Sequence, residues 1–408
     1  MQGKIRFAAI FAFVIISACF ITFQITYRET DEIWQERVSD MIATDSTEIS
    51  ESLASLSQLV SDNYLYEVKN DTVIEGALSG LVLSLPDNFS MYLSKSRYQD
   101  YITLMNSSSN TGVGVSTLYD SSLDGLYVVN VYKGSPAEMQ GLVPGDLITA
   151  VNGVSVKQLG YYKVMRELGG GLADTQVVLT VKRADGSSFS TALMRGIVNT
   201  DSITGERLEA DIGLIRISSF NTGDEEAFKG VLQELITKGC DKFVLDVRNN
   251  PGGNIETISR ILDFLLGDGP LFTVTDKKGA TNTVTSDTNS SPYPLAVLIN
   301  KGTVCGAEVF AACLGEQDAA QLVGTTTYGK ASTQSMYTLP DGDAVSLSST
   351  LYTPASGKSF DGVGVAPDIE AALSVENQMR FTTLPNAEDN VLLTAIEYLK
   401  TIKVDTRD

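Results

Sequence analysis

No histidine occurs among the 408 residues. That absence excludes every Ser-His-Asp or Cys-His triad, every histidine-ligated zinc site and every imidazole acid–base mechanism. A general base in this chain must be a lysine, a carboxylate or a water molecule. Cysteine is scarce. Cys19, Cys240, Cys305 and Cys313 are the full set, and none forms a CxxC pair, so a zinc knuckle and a thioredoxin motif are excluded. Positive charge is short as well: Lys and Arg total 30 against 50 Asp and Glu, a formal net charge of −20. Nucleic acid is not an expected partner, because phosphate neutralisation needs clustered cations.

What is present is ordinary globular composition, with 43% hydrophobic and 20% charged residues. The length suggests two or three domains. At the N-terminus Lys4 and Arg6 precede an uncharged, mostly apolar run, Phe7 to Thr26, with Arg28, Glu29, Asp31 and Glu32 beyond it. A run of that length just spans a bilayer core of roughly 30 Å. The charge bias places the N-terminus in the cytoplasm. The expectation is a single-pass cell-membrane protein, anchored within residues 1–30 and contacting the membrane through residues 7–26, with the bulk of the chain extracytoplasmic. A cleaved signal peptide and a lipoprotein signal at Ile16-Ser17-Ala18-Cys19 are the rival readings; the apolar Phe20, Ile21, Phe23 and Ile25 favour the anchor.

Residues 45–108 read as a helical N-terminal segment. Ile49, Leu53, Leu56 and Val60 recur at helical spacing. Thr72-Val73-Ile74-Glu75 has the pattern of a capping box, opening a helix from Val73 to Leu85 that Pro86 ends. A packing or dimerisation bundle is the natural use of such a segment. Residues 110–186 read as a compact β-rich unit, with strands at Val113–Leu118, Leu126–Tyr132, Leu147–Val151 and Val177–Arg183. From residue 187 to 375 strands and helices alternate, which indicates an α/β domain. Residues 376–408 close with an amphipathic helix, Asp389–Ile402.

Four motifs bear on chemistry. Gly112-Val113-Gly114-Val115 opens a strand; such glycines let successive amides turn toward one point as an anion nest, and a free strand edge beyond can take up a peptide. Asp246-Val247-Arg248-Asn249-Asn250-Pro251-Gly252-Gly253 follows a buried strand and makes a tight turn whose amides can serve an oxyanion. Asn300 to Glu308 links a buried strand to a small-residue helix, placing Cys305 at a helix N-terminus, where a thiolate is favoured. Gly324 to Ala331 nearly spells a phosphate-binding GxxxxGK[ST] loop. Its last position is Ala331, which cannot ligate Mg²⁺, and the segment after it looks extended where a nucleotide site needs a helix.

Gly134-Ser135-Pro136-Ala137, Gly141 to Ile148 and Val151-Asn152-Gly153, with the Gly112 motif, resemble a PDZ domain of the bacterial protease type. Together with Ile212 to Phe220 and Gly362 to Asp368, the motifs resemble the carboxyl-terminal processing peptidases of family S41, the tail-specific proteases. The resemblance implies an α/β fold: a ClpP/crotonase-like ββα-superhelix peptidase domain with an inserted PDZ domain, and a helical segment behind a transmembrane anchor. It implies protein or peptide substrates with apolar C-termini, docked at Gly112, Val113, Gly114 and Val115, and no metal or cofactor. A homo-oligomer is a further expected partner.

The family works by a Ser-Lys dyad, which suits a chain without histidine. Its lysine matches Lys330; its serine, 25 residues earlier, falls on Cys305. The resemblance further implies Glu308 and Gln334 as positioning residues for Lys330, and the amides of Gly306 and Gly253 as oxyanion donors. Val304 and Gly306 stand where alanine is usual, and Ala331 where glycine is usual. Two readings follow: a Cys-Lys peptidase, or a catalytically silent pseudo-peptidase acting as a PDZ scaffold for protein tails.

Overall fold

The computed structural model of the chain describes residues 48–403, apart from 106–110, 170–172, 199–200, 210 and 288–290. The expected anchor and Cys19 lie outside the described residues. Among the described residues no helix is long and apolar enough to cross a membrane.

The chain divides into two compact units, residues 1–80 and 81–408. In the first, a helix over residues 48–63 carries Ile49, Leu53 and Leu56 on one face, all exposed. The next helix, Asn70–Leu83, starts before the expected capping box. The amides of Thr72 and Val73 already bond to Lys69 O, so Thr72 lies inside the first turn and does not cap it.

In the second unit the first sheet carries the strands Val115–Leu118, Leu126–Val131, Leu147–Val151, Gln176–Lys182 and Ser188–Met194, in that order, with Val154–Ser155 paired at the side. Period-two burial along Gln176–Lys182 sends Val177, Leu179 and Val181 into a core with Leu126, Ile148, Val164 and Leu168. The expected boundary at residue 186 is too early. Asp185 and Gly186 form a hairpin turn, with Gly186 at φ 86, and the strand after it continues the same sheet. Gly196–Ile197 then returns to pair with Thr111–Gly112.

The second sheet has the order Ile203–Glu209, Ile212–Ile217, Lys242–Asp246, Leu295–Ile299, Ala320–Gly324, Ile369–Glu370. All pairings but the first are parallel. Lys242–Asp246 and Leu295–Ile299 are buried along their whole length, as parallel strands covered on both faces must be. One face packs against the helices Asp224–Thr237, Ile255–Leu265 and Gly306–Glu316, the other against Asn390–Thr401. That last helix is pinned by a buried ionic cluster. Arg248 bridges Asp246 and Asp389, each at 2.7 Å, and Asp389 also caps the helix by accepting from the Leu392 amide.

A third sheet contains Ala344–Pro354, flanked by Ser332–Thr338 on one side and by Met91–Leu93 and Gly269–Asp276 on the other; Thr281–Ser286 pairs with Gly269–Asp276. Met91–Leu93 corrects the reading of 45–108 as helical throughout. Tyr92 and Leu93 are buried, and the strand pairs with Ala344 to Ser346, a partner no local pattern reveals.

Candidate active site

The strand Leu295–Ile299 is followed by Asn300, and five residues later the chain enters the helix Gly306–Glu316 through Cys305. Cys305 has φ 53 and ψ −115, a conformation that a residue with a Cβ rarely adopts. Such strain costs about 1–3 kcal/mol and persists only where the surroundings impose it. The surroundings are the turn Asn250 to Gly253. Asn250 O accepts from the Val304 amide at 2.9 Å, and Asn250 Nδ2 donates to Ile217 O at 2.8 Å. Asn249 and Asn300 exchange two hydrogen bonds of 2.9 Å. A Cβ on Gly252 would meet the Gly306 amide nitrogen at 2.8 Å, and one on Gly253 would meet Phe220 O at 2.1 Å. Both glycines are required by close approach.

Gly253 bridges to Phe220, but the bridge runs through Gly252 O and the Asn254 amide. The Gly253 amide is outside that ladder. A Cβ on Gly306 would lie 3.6 Å from the Gly253 nitrogen, so the two expected oxyanion donors face one neighbourhood. The same Cβ would meet Ile258 Cδ1 at 2.6 Å.

Glu308 is fully buried and anchors the site. Its carboxylate accepts from the amides of Cys305 (2.9 Å), Gly329 (2.6 Å) and Lys330 (2.8 Å) and from Thr327 Oγ1 (2.5 Å). Burial raises its pKa above the usual carboxylate range against the pull of these donors. Its contact with Lys330 is through the backbone amide and not through the side-chain nitrogen. Thr327 in turn accepts from the Val365 amide at 2.7 Å, and Gly329 O accepts from the Gly362 amide at 2.8 Å. The stretch Gly362 to Asp368 thus cradles the loop before Lys330.

Lys330 is buried. Its Nζ donates to Ser332 O at 2.9 Å and to Gln334 Oε1 at 3.0 Å, and it lies 4.8 Å from the centroid of the Phe89 ring. Gln334 therefore does meet the lysine head group. Phe89 and Ser332 were not legible as site residues; Phe89 belongs to a segment distant in sequence, and Ser332 acts through its carbonyl. The expectation that Cys305 is held as a thiolate is not met. Cys305 is half-buried, and desolvation pushes its thiol up. Lys330 pulls it down, Glu308 adds to the rise, and the Gly306 amide lowers it. Cys240 and Cys313 are buried in the core, and Cys313 Sγ donates to Leu271 O at 3.2 Å.

In the first sheet of the second unit, Val115–Leu118 is an edge strand, as peptide addition requires. The nest at its start is smaller than expected: the Val113 amide already donates to Leu168 O at 2.9 Å. Gly114, at φ 85, packs where a Cβ would meet the Ser135 side chain. The helix Tyr161–Gly169 lies against the strand, with Thr117 Oγ1 at 2.9 Å from Met165 Sδ. This unit also touches the catalytic loop: Tyr328 OH donates to Asp120, and the Tyr127 and Tyr328 rings are 6.1 Å apart. The near-match to a nucleotide loop ends at Ala331, and the strand Ser332–Thr338 follows it where such a loop needs a helix.

Residues 211–371 match the sequence profile of peptidase family S41, residues 127–183 that of a PDZ domain, and residues 14–97 that of the activating protease CtpB N-terminal domain. The carboxy-terminal processing protease CtpA of Bacillus subtilis is 29% identical over 77% of this chain and 67% of its own length. A probable CtpA-like serine protease of Staphylococcus aureus is 25% identical over 90% of this chain and 73% of its own. Among solved structures, a photosystem II D1 C-terminal processing protease superposes with a TM-score of 0.67 at 27% identity, covering 83% of this chain and 92% of its own. With these matches and the geometry above, residues 211–371 are a family S41 peptidase domain, a hydrolase, beside a PDZ domain, and the chain is similar to proteases of the carboxyl-terminal processing type.

Proposed function

We propose that this chain is a membrane-anchored, extracytoplasmic endopeptidase that uses Cys305 in place of the family's serine. The PDZ unit takes the apolar C-terminus of a protein substrate on the edge strand Val115–Leu118, parting it from Met165. Cys305 Sγ gives its proton to neutral Lys330 Nζ and attacks the scissile carbonyl carbon. The oxyanion that forms is received by the amides of Gly253 and Gly306. Collapse breaks the C–N bond, and the Lys330 ammonium returns the proton to the leaving amine. Water then hydrolyses the thioester, its proton passing again through Lys330.

A neutral lysine amine has two N–H groups and one lone pair. Its two observed acceptors, Ser332 O and Gln334 Oε1, use both N–H groups and leave the lone pair to act as base. The observation that carries the proposal is the Glu308 carboxylate, which binds the amides of Cys305 and Lys330 at once and sets nucleophile and base in one frame.

One observation favours the silent scaffold: Lys330 Nζ donates to Ser332 O and Gln334 Oε1, and burial of Cys305 works against its thiolate. The test compares cleavage of an unfolded protein with an apolar C-terminus by the chain as it is, after iodoacetamide, as Lys330→Ala and as Cys305→Ser. Cleavage lost on alkylation and in Lys330→Ala supports the Cys-Lys peptidase. Cleavage by Cys305→Ser alone establishes the scaffold.

The anchor at residues 7–26 rests on the sequence pattern, and release from membranes by an alkaline carbonate wash counts against it. A homo-oligomer is supported by the exposed Ile49, Leu53, Leu56 and Leu59, and sedimentation of the full chain as a monomer refutes it.

A further inference from the structure

The hydrogen bonds around Lys330 do not end at Gln334. Gln334 and Ser348 are direct cross-strand partners, and Gln334 Nε2 donates to Ser348 Oγ at 2.9 Å. On its other side Ser348 meets the segment before Met91–Leu93. The Ser348 amide donates to Ser90 Oγ at 3.0 Å, and Ser90 Oγ donates to the Asp87 carboxylate. That carboxylate also takes the Phe89 amide at 2.7 Å. Ser90 is buried, and Phe89 from the same turn covers Lys330 Nζ.

We propose that Ser348, oriented by the turn Asp87 to Ser90, is a positioning residue that fixes the Gln334 amide and through it the head group of Lys330. An amide has an acceptor end and a donor end of almost equal shape, so a glutamine alone does not choose which end faces the lysine. Ser348 Oγ accepts from Gln334 Nε2, which turns Gln334 Oε1 toward Lys330 Nζ. Ser348 is itself held through its amide by Ser90 Oγ, whose hydroxyl proton goes to the Asp87 carboxylate. A flipped amide would offer N–H to Nζ and compete for the lone pair that the reaction needs.

This inference rests on the Cys305–Lys330 reading, so its test does not depend on turnover. In the full chain, the rate at which iodoacetamide alkylates Cys305 is followed by mass spectrometry of the peptide that carries it. Ser348→Ala is expected to slow alkylation about tenfold, the upper scale of one ordinary hydrogen bond lost. Gln334→Ala slows it alike, and the double variant is no slower than Gln334→Ala. Ser348→Thr, which keeps the hydroxyl, recovers the rate lost in Ser348→Ala, and Asp87→Asn slows it in an otherwise isosteric side chain. An unchanged rate in Ser348→Ala, or effects that multiply in the double variant, overturns the proposal. Peptide cleavage measured in parallel separates the two ideas. A parent chain that cleaves nothing counts against the peptidase reading, while the alkylation ratios still decide the role of Ser348. Where cleavage is seen, kcat falls in Ser348→Ala with KM unchanged.

Discussion

Glu308 accepts from the backbone amide of Lys330 at 2.8 Å and not from its ammonium group. The carboxylate is thus a structural clamp on the catalytic loop. Glu308→Gln keeps the shape but turns one acceptor into a donor facing N–H and O–H groups. We predict a loss of about 3 kcal/mol of stability, from buried donors left unpaired. Urea unfolding of the variant measures it, and a change below 1 kcal/mol would sink the clamp (~1 kcal/mol is one ordinary net hydrogen bond).

Cys305 occupies a backbone conformation suited to glycine. Cys305→Gly is predicted to abolish thiol-dependent cleavage while holding or raising the melting temperature, the relief being about 1 kcal/mol. A variant that both loses activity and melts markedly lower means that the side chain contributes packing that outweighs the strain.

Burial raises the Cys305 thiol above its ordinary pKa, although Lys330 opposes the rise. A raised thiol is mostly protonated at neutral pH, so alkylation of Cys305 is expected to climb with pH beyond about 8.5, the ordinary thiol value. Lys330→Ala removes the group that opposes the rise and slows alkylation at any fixed pH below the plateau. A plateau reached below pH 7 in the parent chain contradicts this.

The Arg248 cluster makes a pH prediction of opposite sign. Burial alone would raise Asp246, but the Arg248 charge and hydrogen bonds, with Arg216, hold it below the usual range. A depressed folded-state pKa contributes stability above the unfolded value, near 4, and the contribution is lost as pH falls through the folded value. Arg248→Ala leaves Asp246 and Asp389 buried without their cation and is expected to cost about 3–5 kcal/mol. Acid unfolding of both chains checks it: the variant should lose most of the stability that the parent loses only below pH 4.

Gly253→Ala places a methyl group against Phe220 O, at 2.1 Å before any relaxation. The turn must shift, carrying the Gly253 amide with it. We predict a loss of kcat of about 100-fold, the usual effect of removing one oxyanion donor, with less change in KM. Unaltered kcat would remove Gly253 from the oxyanion assignment.

The sequence by itself determined the type of chemistry and most of the elements. The lack of histidine left lysine or carboxylate as base, and helical spacing placed Asn390–Thr401 within a residue of where it lies. The resemblance to family S41 pointed to Cys305, Lys330, Glu308 and Gln334, because each falls within a local motif that the family shares. What only the tertiary structure decided is how those groups are wired. Glu308 reaches the lysine through its amide, the Val113 amide is spent on Leu168, and Asp87, Phe89 and Ser90 join the site across 258 positions at the Ser90–Ser348 contact. The physical reason is that periodicity and propensity act over a few residues. A hydrogen bond between strands distant in sequence depends on sheet order and register, which the hydrophobic core selects for the chain as a whole.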